Sequence, residues 1–77
     1  MSKILKFGAE WCKGCKELEE LNKDYLKDAK VIDIDRSPQE VREWNITKIP
    51  TVIVLSDDGV EVTRVIGKTE IIDYFEN

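Results

Sequence analysis

Apolar and polar positions change period several times along the chain, and each change marks an element. Lys3 to Gly8 is largely apolar through Ile4, Leu5 and Phe7, the pattern of a strand. From Cys12 or shortly after, to about Asp28, the apolar residues Leu18, Leu21, Tyr25 and Leu26 follow helical spacing. Glu17, Glu20, Lys23, Asp24 and Lys27 cover the other side of that helix as a solvated face. Val31 to Ile34 reads as a second short strand. Ser37-Pro38-Gln39-Glu40 is a helix start, with Ser at N-cap, Pro at N1 and Glu at N3. That helix carries Val41 and Trp44 and ends near Asn45. Thr51 to Leu55, β-branched and apolar, fits a central strand. Asp57-Asp58-Gly59 makes a hairpin turn and Val60 to Ile66 returns as a strand. Gly67 breaks it, and Thr69 is placed to cap a last helix whose Ile71, Ile72 and Phe75 share one face.

The order β-α-β-α-β-β-α predicts an α/β domain. The first two strands, joined by a helix, should be parallel with a right-handed crossover. The last two, joined by a tight turn, must be antiparallel. A four-stranded mixed sheet with helices on both faces follows. No repeat, linker or low-complexity segment divides the chain, so residues 1–77 form a single domain close to the lower size limit for folding without a staple.

Charge changes the picture by exclusion. The net charge is −4, with no basic stripe to track phosphates, which argues against nucleic acid as a partner. No apolar run approaches the roughly 20 residues needed to span a membrane. Lys6 interrupts the N-terminal apolar run before a signal-like core can form. The expectation is a cytoplasmic protein, where two thiols do not normally persist as a structural disulfide. A lone cysteine pair there points to metal binding or redox catalysis.

The pair is Cys12-Lys13-Gly14-Cys15. Zinc normally takes four ligands, and the chain has no histidine and no third cysteine, so a monomer cannot close a structural zinc site without carboxylates, and a metal or iron–sulfur centre shared between two chains is an alternative. Inert core cysteines fit poorly beside the polar Lys-Gly insert. Placement favours redox chemistry. The pair follows the first strand through Ala9-Glu10-Trp11 and opens a helix, where unpaired N–H groups and the macrodipole favour a negative sulfur. Cys12 should be the exposed nucleophile, and Cys15, nearly one turn on and more buried, should resolve the mixed disulfide.

Phe7 to Lys16, reading Phe-Gly-Ala-Glu-Trp-Cys-Lys-Gly-Cys-Lys, resembles the active-site stretch of thioredoxins. Ile49-Pro50-Thr51 resembles their cis-proline segment. Val31-Ile32-Asp33-Ile34-Asp35 with Pro38, then Gly59, then Ile66-Gly67, match in order and approximate spacing. The resemblance covers nearly the whole chain but lacks the first strand and helix of full-length thioredoxins, leaving a minimal thioredoxin fold of glutaredoxin size. It implies that Cys12 attacks, that Cys15 resolves, and that Trp11, Ile49, Pro50 and Gly67 border the groove receiving the substrate backbone. It implies a thiol–disulfide oxidoreductase that reduces protein disulfides, works as a monomer, and needs no bound cofactor because the thiols are the redox centre. Its electrons would come from a flavin-dependent thioredoxin reductase. A glutathione-linked, glutaredoxin-like carrier is an alternative. Gly67-Lys68-Thr69 replaces the Gly-Gly-Asp type signature that holds glutathione in glutaredoxins, although lysines near the site keep glutathione open. A redox-inert binding module is the rival from another class.

Two departures from the family pattern mark Lys13 and Lys6 as candidate modulators. Lys13-Gly14 stands where thioredoxins usually carry Gly-Pro. A cation at Lys13 would favour the Cys12 thiolate and make the disulfide somewhat more oxidising. Lys6 takes the place of the family's buried aspartate behind the cysteines. Buried and charged it would favour thiolates, and neutral it could accept a proton. The expectation is a buried stem, with the ammonium reaching water or pairing with Asp33 or Asp35.

Overall fold

The computed structural model describes residues 3–21 and 29–76. Within them lie strands β1 (Ile4–Gly8), β2 (Lys30–Asp33), β3 (Thr51–Leu55) and β4 (Glu61–Ile66), with helices α1 (Lys13–Leu21), α2 (Pro38–Glu43) and α3 (Lys68–Glu76). The strands form one mixed sheet in the order β2-β1-β3-β4. β1 runs parallel to β2, pairing Lys6 with Val31 and Gly8 with Asp33, and antiparallel to β3, pairing Lys6 with Val52. β3 and β4 form the antiparallel hairpin, with a register shift at Val54/Leu55. The predicted order, sheet and fold class are all present.

Strand periodicity sorts β1 into two faces. Leu5 and Phe7 pack with Ile32 and Ile53, covered by Ile34, Trp44, Ile46, Ile49 and Leu55. This is the α2 side. Ile4 lies on the opposite face, where Val52, Leu18 of α1 and Ile71 of α3 form a second cluster with Val54, Val65, Ile72 and Phe75. Phe7, Leu18, Val52, Ile53 and Ile71 are fully enclosed. Each contributes about 1.5–3 kcal/mol of burial, so a small chain obtains its core from both sides of a sheet. The described part of α1 confirms Leu18 as a core position. Tyr25 and Leu26 lie outside the described residues, as does the side chain of Leu21.

Element ends differ from the sequence reading in instructive ways. β2 starts at Lys30, and its pairing is prolonged by the Ile34 N–H donating to Gly8 O at 2.9 Å. Ser37 is the N-cap of α2, but its hydroxyl makes no capping bond. Its carbonyl instead accepts the Glu40 and Val41 N–H groups at 3.1 and 3.2 Å. α2 ends at Glu43, followed by Asn45 in the left-handed region at φ 53°. Val60 belongs to the hairpin loop, where its carbonyl accepts the Ser56 N–H at 2.8 Å. Thr69 does not cap α3: the helix begins one residue earlier, at Lys68. Gly67, at φ 98°, takes the cap position and accepts the Ile71 N–H at 2.9 Å. A left-handed turn there requires glycine, and it decides where the helix starts.

Candidate active site

The loop after β1 is closed by the Cys12 N–H donating to Ala9 O at 3.2 Å. Cys12 then acts as the cap of α1. Its carbonyl accepts the Lys16 N–H at 3.1 Å, and its Sγ accepts the Cys15 N–H at 3.2 Å. A sulfur thus fills the role usually taken by a hydroxyl or carboxylate oxygen, satisfying one of the orphan donors of the first turn. Cys12 and Cys15 are joined as a disulfide, with their Cα atoms 5.3 Å apart. When that bond is reduced, charge developing on Cys12 Sγ faces the same N–H and the positive end of α1. No acidic residue in the first turn of α1 offsets this.

Cys15 is the more enclosed of the two, as expected. Cys12 is nevertheless only 7% exposed, and the sequence reading had it open to solvent. The reason is a small apolar cluster of Ala9, Cys12 and Cys15, against which Ile34 and Ile49 pack from the loops beyond β2 and before β3.

The other predicted site residues converge on this cap, except for Trp11, Lys13 and Lys6. The Ile49–Pro50 peptide bond is cis, and Pro50 is buried beside the first turn of α1. A Cβ placed on Gly14 would lie 3.4 Å from Pro50 Cδ and 3.7 Å from Lys68 Cβ. Gly67 is tied to the same corner, its N–H donating to Pro50 O at 2.9 Å. Lys68 binds Glu17 Oε2 at 3.1 Å, linking α3 to α1. Trp11 is exposed at 68%, but its indole N–H donates to Asp35 Oδ2 at 2.8 Å, which fixes the ring beside the site. Lys13 is exposed at the helix start.

Lys6 corrects the expectation. Its side chain is 5% exposed, and among the described residues its Nζ meets a carboxylate oxygen of Glu19 of α1 at 4.0 Å. Asp33 and Asp35 are engaged otherwise: Asp33 Oδ1 accepts the Asp35 N–H at 2.8 Å, and Asp35 holds Trp11. Lys6 shares the sheet face covered by α1, and a helical residue four positions beyond Cys15 overlies it, which strand patterning alone does not reveal. Burial pushes the Lys6 amine below its ordinary pKa, and Glu19 opposes the shift.

Two contributors were not picked out from sequence. Asp35, part of the family-like segment and a candidate partner for Lys6, was given no role at the site. Gly8, the end of a strand within the family-like active-site stretch, was likewise given none, yet a Cβ there would stand 2.9 Å from Cys15 Sγ and 3.2 Å from its Cβ. A glycine closing a strand just before a cysteine pair is the signal for such a close approach.

Comparison with known proteins agrees with this geometry. The family model described as Thioredoxin matches residues 2–76. A thioredoxin of Staphylococcus epidermidis is 38% identical over 71 residues, covering 84% of this chain and 67% of the relative. The chain thus spans about two thirds of that relative's length. A solved Plasmodium falciparum thioredoxin superposes with a TM-score of 0.72 at 33% identity, over 95% of this chain and 81% of that one. The oxidised mitochondrial thioredoxin 3 of Saccharomyces cerevisiae shares the fold, with a TM-score of 0.75 at 22% identity over 99% of this chain and 77% of its own. The chain belongs to the thioredoxin family, and its Cys12–Cys15 couple makes it a thiol–disulfide oxidoreductase that acts as a disulfide reductase.

Proposed function

We propose that this protein carries electrons from a flavin-dependent thioredoxin reductase to disulfide-bonded proteins in the cytoplasm, as a monomer. The observation that carries the reading is the Cys12 sulfur capping α1, with the Cys15 N–H aimed at it and the Cys15 sulfur directly behind. In the forward reaction the Cys12 thiolate attacks a substrate disulfide. One substrate sulfur leaves as a thiolate and takes a proton, and the other remains bonded to Cys12. Cys15 then attacks Cys12 Sγ, the Cys12–Cys15 bond forms, and the second substrate sulfur leaves. Two electrons pass from the protein's thiols to the substrate, and the reductase returns two.

The groove for the substrate chain is formed by Trp11, Ile49, Pro50 and Gly67. Ile49 packs on the sulfurs, and Pro50 and Gly67 are bonded into one corner. Trp11 offers an exposed aromatic surface held by Asp35. Glutathione is disfavoured as the donor because Lys68, the cation in the segment that would receive a carboxylate, is already paired with Glu17. A redox-inert role is disfavoured by the placement of Cys12 at the cap of α1, with its sulfur accepting the Cys15 N–H. Among the described residues no helix is long and apolar enough to cross a membrane.

The test is a redox titration of the Cys12–Cys15 couple against dithiol buffers, followed by turnover with each candidate donor. A reversible two-electron transition somewhat above the thioredoxin value of about −270 mV is expected. Turnover is expected with the flavin-dependent reductase and not with glutathione. Rapid turnover with glutathione alone overturns the donor assignment, and the absence of a reversible couple overturns the whole reading.

A further inference from the structure

On the Cys15 side of the disulfide, between α1 and strands β1 and β2, lies a cavity of about 90 Å³. Lys6 and Cys15 both line it. That volume exceeds what one water needs, and its walls are partly polar, so it can hold a hydrogen-bonded water path between the amine and the thiol. Lys6 is a buried cation that the exchange reaction as derived above does not use.

We propose that Lys6 is a positioning residue for the second half of the reaction: its ammonium, across this cavity, stabilises the Cys15 thiolate that resolves the mixed disulfide. The inference rests on the oxidoreductase reading and assigns a task to a residue outside the sulfur pair. In the step concerned, the Cys15 S–H bond breaks and its proton passes through the cavity to solvent, while Lys6 keeps its own. The Cys15 thiolate then forms the bond to Cys12 Sγ, and the substrate sulfur departs as a thiolate. Electrons balance as before, since the substrate disulfide is the oxidant.

The charges facing Lys6 decide whether its field survives. From α1 come Glu19 and Lys16, from the preceding loop Glu10, and from β2 Asp33. Its cross-strand neighbours Val31 and Val52 are uncharged. Glu10, Lys16 and Glu19 are exposed, so water screens them, and Asp33 is half-buried with one oxygen bound to a backbone N–H. Lys6 alone is enclosed, so its field on Cys15 is the least screened of the set. Burial lowers the pKa of the Lys6 amine, and Glu19, on the exposed side of α1, offsets that only in part.

The experiment follows reduced protein reacting with an aromatic disulfide that releases a coloured thiol at each step. The first release reports Cys12 and tests the oxidoreductase reading itself. The second reports resolution by Cys15. Lys6→Met is expected to move the pH midpoint of the second phase up by about one unit, slowing it about tenfold at neutral pH. The first phase should change far less. A folded Lys6→Met protein with an unchanged second phase overturns the proposal while leaving the reductase intact. A measurement needing no variant is the NMR titration of the Lys6 ε-methylene in both redox states. By reciprocity its pKa must be higher in the reduced protein, where a thiolate is its partner. Identical titrations in the two states overturn the proposal as well.

Discussion

Gly8→Ala isolates the tight approach behind the active site. The added methyl would sit 2.9 Å from Cys15 Sγ and 3.2 Å from Cys15 Cβ, so something must move. In the disulfide form the sulfur is tethered to Cys12 and cannot rotate away. Relief must come from a shift of α1 or of β1, and overpacking of this kind costs about 1–3 kcal/mol. In the dithiol form Cys15 is free to turn its Sγ into the adjoining cavity, which Gly8 and Cys15 both line. The contact with Sγ is thus relieved on reduction while that with Cβ persists in both forms, so the strain falls more on the oxidised state. At about 30 mV per 1.4 kcal/mol, the reduction potential should rise by at most about 20–65 mV. The assay is equilibration of parent and variant against the same dithiol buffers, with thermal unfolding of each redox form alongside. The oxidised variant should lose more stability than the reduced one. An unchanged potential, with equal losses in both forms, would show that the backbone absorbs the methyl and that Gly8 is not a redox determinant.

Two further predictions concern the cations. Removing the charge beside the nucleophile, in Lys13→Ala, should raise the Cys12 thiol pKa and make the couple more reducing. An exposed charge pair of about 0.2–1 kcal/mol corresponds to about 5–20 mV, and no change in either quantity removes Lys13 as a modulator. Lys6 makes a separate prediction about the stability of the oxidised protein, whose cysteines do not titrate. Its pKa is lowered on folding from an ordinary 10.5, chiefly by burial, so the unfolded chain holds that proton more tightly. Stability should therefore rise as pH climbs through the lowered pKa and level off near the unfolded value. Urea unfolding across the alkaline range should show that rise in the parent and its loss in Lys6→Met, and identical pH profiles would contradict it.

Much of the scaffold is legible in the sequence because local rules and tertiary demands agree. The switch from strand to helical spacing at Cys12, Pro38 at the start of α2, and Asp57-Asp58-Gly59 between two apolar runs each have one physical solution. What the sequence obscures comes from contacts between elements. Ser37 has the right identity for a side-chain cap, but the turn around Asp33 already supplies the backbone bonds there: its carbonyl accepts the Ser37 N–H at 2.9 Å. Thr69 loses the cap to Gly67 because the link to Pro50 fixes where α3 begins. Cys12 is enclosed by Ile34 and Ile49, which lie more than twenty residues along the chain. The counter-charge of Lys6 sits on a helix rather than on the neighbouring strand, since Lys6 points at the face that α1 covers. In each case the residue's chemistry is read correctly and its neighbour is not.

Lys6 shows why family resemblance leaves the redox poise open. A carboxylate behind the resolving thiol repels negative charge and, when ionised, accepts a proton. A cation in that place attracts negative charge and releases none. With the same fold and the same sulfurs, the two arrangements push the dithiol in opposite directions. On the proposal above, the α1 terminus, Lys13 and Lys6 would all act in the same sense, because each would stabilise a thiolate and has no thiolate to act on in the disulfide. An enclosed ammonium 4.0 Å from the exposed Glu19 carboxylate is only partly compensated by it in the oxidised state. Reduction would supply further negative charge across the cavity. The cost of burying Lys6 would then be borne mostly by the disulfide form, and that difference would favour the dithiol. On this reading the unusual residue behind the cysteines and the composition of the cap in front of them are parts of one electrostatic arrangement, which would make the protein a readier electron acceptor than a chain with a carboxylate at that position.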